Sequence, residues 1–304
     1  MIVVNIASSF VFLAGILIYK FIYPKKKINL LSLLFILSLL PLISLLRAGT
    51  YESGDFNIHV RRSMEFFEIL KEGILMPTWA KNFNGTYGYA IFGFNYTLPY
   101  YITSFFHILG FSFIASMKIL IGLSFIFSGI FMYIFSKNLF KNELAAFSVS
   151  VLYLFNPYHL IITHFKIPIG EILAYSIIPL VFYFINKYLD KKDLVFILLA
   201  GLMFGTVALS HIIIAVFLAP PILLYIFLIV KKIDKTILYY FSIIFIGALV
   251  SAYQWSASII YKSYLFITAY PQDPLALLYS PTLSELLYAP WRLGFLFQGP
   301  KGET

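Results

Sequence analysis

The chain has 304 residues, of which 61% are hydrophobic and only 12% charged, with a formal net charge of +9 and no cysteine. Soluble domains run at roughly 45–50% apolar and about 25% charged, so this composition excludes a soluble globular protein, and the missing cysteines exclude a disulfide framework. The basic residues lie between apolar runs, where the positive-inside rule accounts for them without nucleic-acid binding.

Apolar runs of roughly 20 residues predict an all-α, polytopic transmembrane helical bundle. The first run, Ile2 to Tyr23, ends at Pro24-Lys25-Lys26-Lys27; with no basic n-region and no small-residue cleavage site it reads as an uncleaved span. The second runs from Ile28 to Leu46. A polar stretch follows, from Arg47 to about Asn95, and further spans are expected near 112–136, 143–158, 172–188, 194–210, 212–230 and 237–259. Pro220-Pro221 predicts a kink in the seventh of these eight spans, whose freed carbonyls neighbouring helices can satisfy. Residues 1–260 thus form the transmembrane module, and 261–304, less apolar and rich in Pro, Tyr and Leu, an outer-side segment.

Four basic clusters set the orientation: Lys25–Lys27, Lys137 with Lys141, Lys187 with Lys191 and Lys192, and Lys231 with Lys232 and Lys235. All four become cytoplasmic if the N-terminus is outside and residues 98–110 form an interfacial helix that does not cross. Residues 48–111 then make one large outer loop.

Within that loop, Val60, Met64 and Phe67 form an apolar stripe, and Arg61, Glu65, Glu68 and Glu72 line another face, predicting an amphipathic helix over 55–72 along the membrane surface. Asp55 and His59, four apart, project from one face at its first turn. By spacing alone Asp55 is also a helix N-cap after Ser53-Gly54, and His59 also a solvated or hydrogen-bonded surface histidine. Residues 73–102 are dense in Gly, Asn, Tyr and Pro with few charges. They suit either a sugar groove of aromatic walls and amide donors, expected near Asp55 with Trp79 or Tyr87, or an interfacial aromatic belt.

A resemblance rests on a series of motifs. They are Gly54-Asp55 with His59, Gly73-Ile74-Leu75-Met76-Pro77-Thr78-Trp79, Asn84-Gly85-Thr86-Tyr87-Gly88, Phe92, Tyr96 and Leu98-Pro99-Tyr100-Tyr101. Downstream come Asn156-Pro157-Tyr158-His159-Leu160, Gly170-Glu171-Ile172-Leu173-Ala174, Pro179-Leu180, Leu209-Ser210-His211 and Leu249-Val250-Ser251-Ala252-Tyr253-Gln254-Trp255. Across about residues 47–290 this series resembles the bacterial and archaeal membrane proteins labelled 6-pyruvoyl-tetrahydropterin synthase-related. That family looks like part of the GT-C superfamily of membrane glycosyltransferases. Nothing in the sequence supports pterin chemistry.

The resemblance implies transfer of a sugar from a polyprenyl-phosphate donor to an acceptor glycan, lipid or protein on the outer face of a prokaryotic plasma membrane. It assigns Asp55 as catalytic base or metal contact and Glu171 as the second outer acidic residue, with Mg or Mn as the divalent cation if one is used. His59, Trp79, Tyr87 and His211 become substrate contacts, and Arg61, Arg62 and Lys166 the cations for the leaving phosphate. Glu171 also reads as a helix-start carboxylate, and Arg61 and Arg62 as lipid-headgroup contacts.

Two positions depart from the family pattern. Lys166 stands where an arginine is expected, and Ser256 to Lys262 replaces an expected proline and acidic residue. The ending at Thr304 is expected to mark a truncated product. The alternatives are therefore a lipid or glycan transporter or flippase, and a truncated non-catalytic membrane subunit. Coupled transporters keep ionisable groups near the midplane, whereas these spans carry almost none.

Overall fold

A computed structural model of the chain describes residues 2–51, 53–230 and 236–261. The chain divides into two units, Met1–Ser256 and Ala257–Thr304. The expected outer-side segment 261–304, the basic cluster 231–235 and Glu52 lie almost wholly outside the described residues.

The described residues are all-helical, in keeping with the composition, and apart from one isolated bridge they hold no β-structure. In chain order the helices are α1 (Ile2–Ile22), α2 (Leu30–Leu42) with a 3-10 turn (Ile43–Leu46), α3 (Phe56–Lys71), α4 (Ile91–Phe94), α5 (Leu98–Ile108), α6 (Phe113–Phe140), α7 (Glu143–Leu154) and α8 (Pro157–Ile161). A π-helical turn (Ile162–Lys166) follows, then α9 (Ile169–Lys191), α10 (Val195–Ser210), α11 (Ile212–Val230), α12 (Thr236–Val250) and α13 (Ala252–Tyr261). Side-chain caps mark several starts: Asn29, Ser112, Asn142 and Asn156 each accept from a backbone N–H of the first turn. Helix α11 continues through Pro220 and Pro221 as one element.

Three helices, Phe113–Phe140, Ile169–Lys191 and Ile212–Ile229, are long and apolar enough to cross a membrane. The number becomes five if each of two bent pairs, Glu143–Leu154 with Pro157–Lys166 and Leu238–Val250 with Ala252–Tyr261, is one span. Helix α5, with 11 residues, reaches only about 16 Å of the roughly 30 Å hydrocarbon core.

The centre is a row of packed helices: α6 against α9, α9 against α10 and α10 against α12, with α2 and α7 on α6. Three hydroxyls inside the row are satisfied locally, Ser128, Ser150 and Ser176 each donating to a carbonyl one turn back. The outer flanks expose Phe10, Phe21, Val216, Phe217, Phe241 and Phe245, the surface a bilayer would cover.

The two ends of the row differ in chemistry. At one, Lys137 pairs with Glu143 at 2.5 Å, Lys141 with Asp190 at 3.4 Å, and Lys27 lies within electrostatic reach of Glu143. Three of the basic clusters therefore gather at a single end. The other end carries α3, α5 and the loop between them.

Candidate functional site

Helix α3 is tied to the bundle by its entry. Gly54 N–H donates to the Phe165 carbonyl and Asp55 N–H to the Lys166 carbonyl, both at 2.8 Å. A Cβ on Gly54 would stand 2.8 Å from the Lys166 oxygen, so the two strands approach this closely only with glycine there. Asp55 occupies the N-cap position of α3 and is half-buried, but its side chain makes no capping hydrogen bond. Its carboxylate is not committed to the helix start.

The buried face of α3 is Phe56, His59, Val60, Ser63, Phe66 and Ile69. This corrects the expected stripe: Val60 is buried, but Met64 is 49% exposed. The helix packs on α5, through Phe66 against Tyr100 and Tyr101 and through Thr103, which donates to Ser63 at 3.1 Å. Glu65, expected on a solvated face, is 5% exposed and accepts from both the backbone N–H and the side-chain amide of Asn82, each at 2.9 Å. That bidentate clip holds a small hairpin in which Ala80 and Tyr89 pair, and which turns through left-handed Asn84, Gly85 and Thr86. Between hairpin and helix lies an open groove of about 670 Å³ lined by Ile58, Arg61, Asn82, Phe83, Asn84 and Tyr89.

His59 is 2% exposed, so it is hydrogen-bonded as expected but is not a surface histidine. Its Nδ1 is 2.9 Å from the Tyr100 hydroxyl and its Nε2 3.3 Å from that of Tyr96. Burial pushes the imidazole down to about 3, with nearby Arg62 adding to the effect. The neutral ring therefore donates to one phenol and accepts from the other. Burial also raises both phenols, Tyr96 and Tyr100, and neighbouring Asp55 acts in the same direction. Arg62 hydrogen-bonds Tyr100, which makes it an internal cation, whereas Arg61 is exposed on the groove.

The network continues into the bundle. Gly170 N–H bonds the Tyr96 hydroxyl, and a Cβ on Gly170 would lie 2.3 Å from the Ser210 carbonyl and 2.8 Å from the Tyr96 ring. The Tyr96 and His211 rings are 5.3 Å apart; His211 Nε2 is 3.9 Å from Glu171, which accepts from the Tyr158 hydroxyl at 2.7 Å. Burial lowers the His211 imidazole and Glu171 opposes it. Glu171 sits in the first turn of α9, as a helix-start carboxylate would.

Asp55, His59, Arg62, Glu171 and His211 thus converge on one network. Lys166 is exposed and joins it only through its carbonyl. Trp79 and Tyr87, expected beside Asp55, are 53% and 86% exposed; the buried phenols at that end of α3 are Tyr51, Tyr96 and Tyr100. The i, i+4 spacing of Tyr96 and Tyr100 in the tyrosine-rich run was the available signal for these two. Among the described residues no three His, Asp or Glu side chains converge as metal ligands.

No solved structure matches the chain. An uncharacterized protein of Lactococcus lactis subsp. cremoris (strain MG1363) is 26% identical over 216 residues, which are 69% of this chain and 35% of the relative. The chain thus spans about a third of that protein's length. The sequence model described as the 6-pyruvoyl-tetrahydropterin synthase related domain, a membrane protein, matches residues 94–265, more than half of the chain, including Tyr96, Tyr100, Tyr158, Glu171 and His211 but not Asp55. The chain therefore belongs to the 6-pyruvoyl-tetrahydropterin synthase-related family of membrane proteins.

Proposed function

We propose that the chain is, or forms part of, a GT-C-type membrane glycosyltransferase that moves a sugar from a polyprenyl-phosphate donor to an acceptor on the outer face of a prokaryotic plasma membrane. The observation that carries this reading is the Asp55 carboxylate. It is fixed at the start of α3 by the clamp to Lys166, is left free by the helix cap, and lies beside a network that ends on Glu171.

In the transfer, the acceptor hydroxyl oxygen bonds the sugar C1 as the C1–O bond to phosphate breaks. The bonding pair leaves with the polyprenyl phosphate, and Asp55 takes the hydroxyl proton. The groove of Arg61, Asn82, Phe83, Asn84 and Tyr89 offers an acceptor glycan an amide edge and aromatic faces. Lys166, on the turn that clamps Asp55, is the cation for the departing phosphate. The eight-span topology, N-terminus outside, counts the three long helices, the two bent pairs and three shorter apolar helices.

The test is transfer from a labelled polyprenyl-phosphate sugar in membranes carrying the chain within its full-length protein or a close full-length relative. Asp55→Asn keeps expression and thermal stability and loses transfer roughly 10²–10⁴-fold. Near-parental turnover in that variant would overturn the assignment, because Asn caps a helix about as well as Asp and only the base is lost.

A further inference from the structure

The corner beside the Gly54–Lys166 clamp gathers positive charge that nothing described neutralises. Arg47 follows the 3-10 turn after α2, and its guanidinium lies 3.9 Å above the Tyr51 ring. Lys118, one turn into α6, donates to the Arg47 carbonyl at 2.5 Å. His164, on the π-helical turn, lies within electrostatic range of Arg47, with Nδ1 3.4 Å from Ser44 Oγ. None of the three pairs with a carboxylate among the described residues.

Three buried polar atoms on the same segments have no hydrogen-bond partner: Tyr51 OH, Ser53 Oγ and His164 Nε2. Buried polar groups are rarely left unpaired without a ligand, a water or a functional reason. The turn itself is strained. Residues 162–166 are π-helical, a form frequent at functional sites, and end at Ile167 with φ 58, a left-handed conformation that β-branched residues avoid.

Two cations and two unpaired hydroxyls on adjoining segments match an anion with many acceptor oxygens. Ser44 Oγ already donates to Pro41, so the Nδ1–H of His164 donates to Ser44 and Nε2 remains an acceptor, suited to the acidic proton of a phosphate monoester. The source is indicated by α2 and the 3-10 turn after it, whose exposed flank of Phe35, Leu39 and Leu46 leads to this corner as a surface for an acyl or prenyl chain. We propose that Arg47, Lys118 and the His164 turn form a binding site for the phosphate group of a membrane lipid. The site rests on the glycosyltransferase reading for its role, as the seat of the polyprenyl phosphate that the transfer releases, a monoester, with Lys166 on the same turn, but its occupancy can be measured without any transfer.

The experiment is native mass spectrometry of the detergent-solubilised chain with phosphatidic acid, with the matching diacylglycerol, and with inorganic phosphate. Phosphatidic acid is retained, and diacylglycerol, the same lipid without its phosphate, is not. Arg47→Gln and Lys118→Gln each weaken retention roughly tenfold, as expected for one charge-assisted contact. Lys25→Gln, at the opposite end, leaves it unchanged. Equal retention of diacylglycerol, or unchanged retention in both variants with parental thermal stability, overturns the site. Retention of inorganic phosphate but not of phosphatidic acid overturns the lipid source. Lipid retention that persists while Asp55→Asn keeps full transfer in the full-length protein sinks the catalytic reading and leaves this site standing.

Discussion

His59 Nδ1 lies 2.9 Å from the Tyr100 hydroxyl, a buried bond joining α3 to α5 across 41 residues of sequence. With Tyr96 on its other nitrogen, the ring is a brace between two helices. His59→Ala leaves both phenols unpaired and opens a cavity, so stability falls by about 2–4 kcal/mol. His59→Gln, which keeps one donor and one acceptor, falls by less.

The same brace gives an acid sensitivity of known sign. The folded imidazole sits at about 3 because burial disfavours its charge, whereas the unfolded one titrates near 6.5. Its contribution is complete above about pH 6.5 and is lost as pH falls toward 3, because the unfolded state binds the extra proton. The apparent Tm in detergent drops over that window, and His59→Gln shrinks the drop. An unchanged slope in the variant assigns the acid sensitivity elsewhere.

Glu65 carries the hairpin. Removing its carboxylate in Glu65→Ala strands two donors of Asn82 and costs about 2–3 kcal/mol. Limited proteolysis then cuts within 80–89, where the parent resists. Equal protease resistance in parent and variant means that the clip does not order the groove wall.

The bundle was legible because hydropathy is a sum over many residues: each of the eight expected apolar runs corresponds to a helix or a bent pair of helices. The face of α3 was not, because its buried side contains His59, Ser63 and Glu65. These polar residues break the apolar periodicity, and their partners Tyr100, Thr103 and Asn82 lie 17 to 41 positions away. A one-helix pattern cannot register such pairs, so Met64 stood in for Phe66. Asp55 and Glu171 were named by resemblance, while the Tyr96–His211 contact between them depends on Gly170 and on no periodic signal at all.

Gly54→Ala separates backbone from side chain at the clamp. The new methyl meets the Lys166 carbonyl at 2.8 Å and must displace α3 or the π-helical turn, costing about 1–3 kcal/mol. Lys166→Ala leaves that carbonyl in place and changes stability by no more than about 0.5 kcal/mol. Equal losses in the two variants would mean that the ammonium group, and not the main chain, holds the entry of α3.

The charged ends predict a labelling pattern. Cysteines at the exposed positions Lys27, Lys141 and Lys192 share one side of the membrane, and those at Asn57 and Asn84 share the other. An impermeant thiol reagent added to intact cells labels only the second group if the basic end is cytoplasmic. Labelling of Lys141→Cys together with Asn57→Cys would require α5 and its neighbours to be counted as a span.

Glu171→Gln distinguishes an orienting carboxylate from a second base. Glutamine still accepts from the Tyr158 hydroxyl, so that bond survives. What disappears is the negative charge 3.9 Å from His211 Nε2, the influence that opposes burial on that imidazole. The His211 titration, followed by side-chain NMR and assigned with His211→Asn, therefore moves further down in the variant. If Glu171 only orients the network, transfer in a full-length protein falls roughly tenfold or less, well short of the roughly 10²–10⁴-fold that loss of a general base costs. The small loss and the downward His211 shift appear together, because one charge governs both. A loss as deep as that of Asp55→Asn, with the shift present, would make Glu171 a direct participant in proton transfer and end the assignment of Asp55 as sole base.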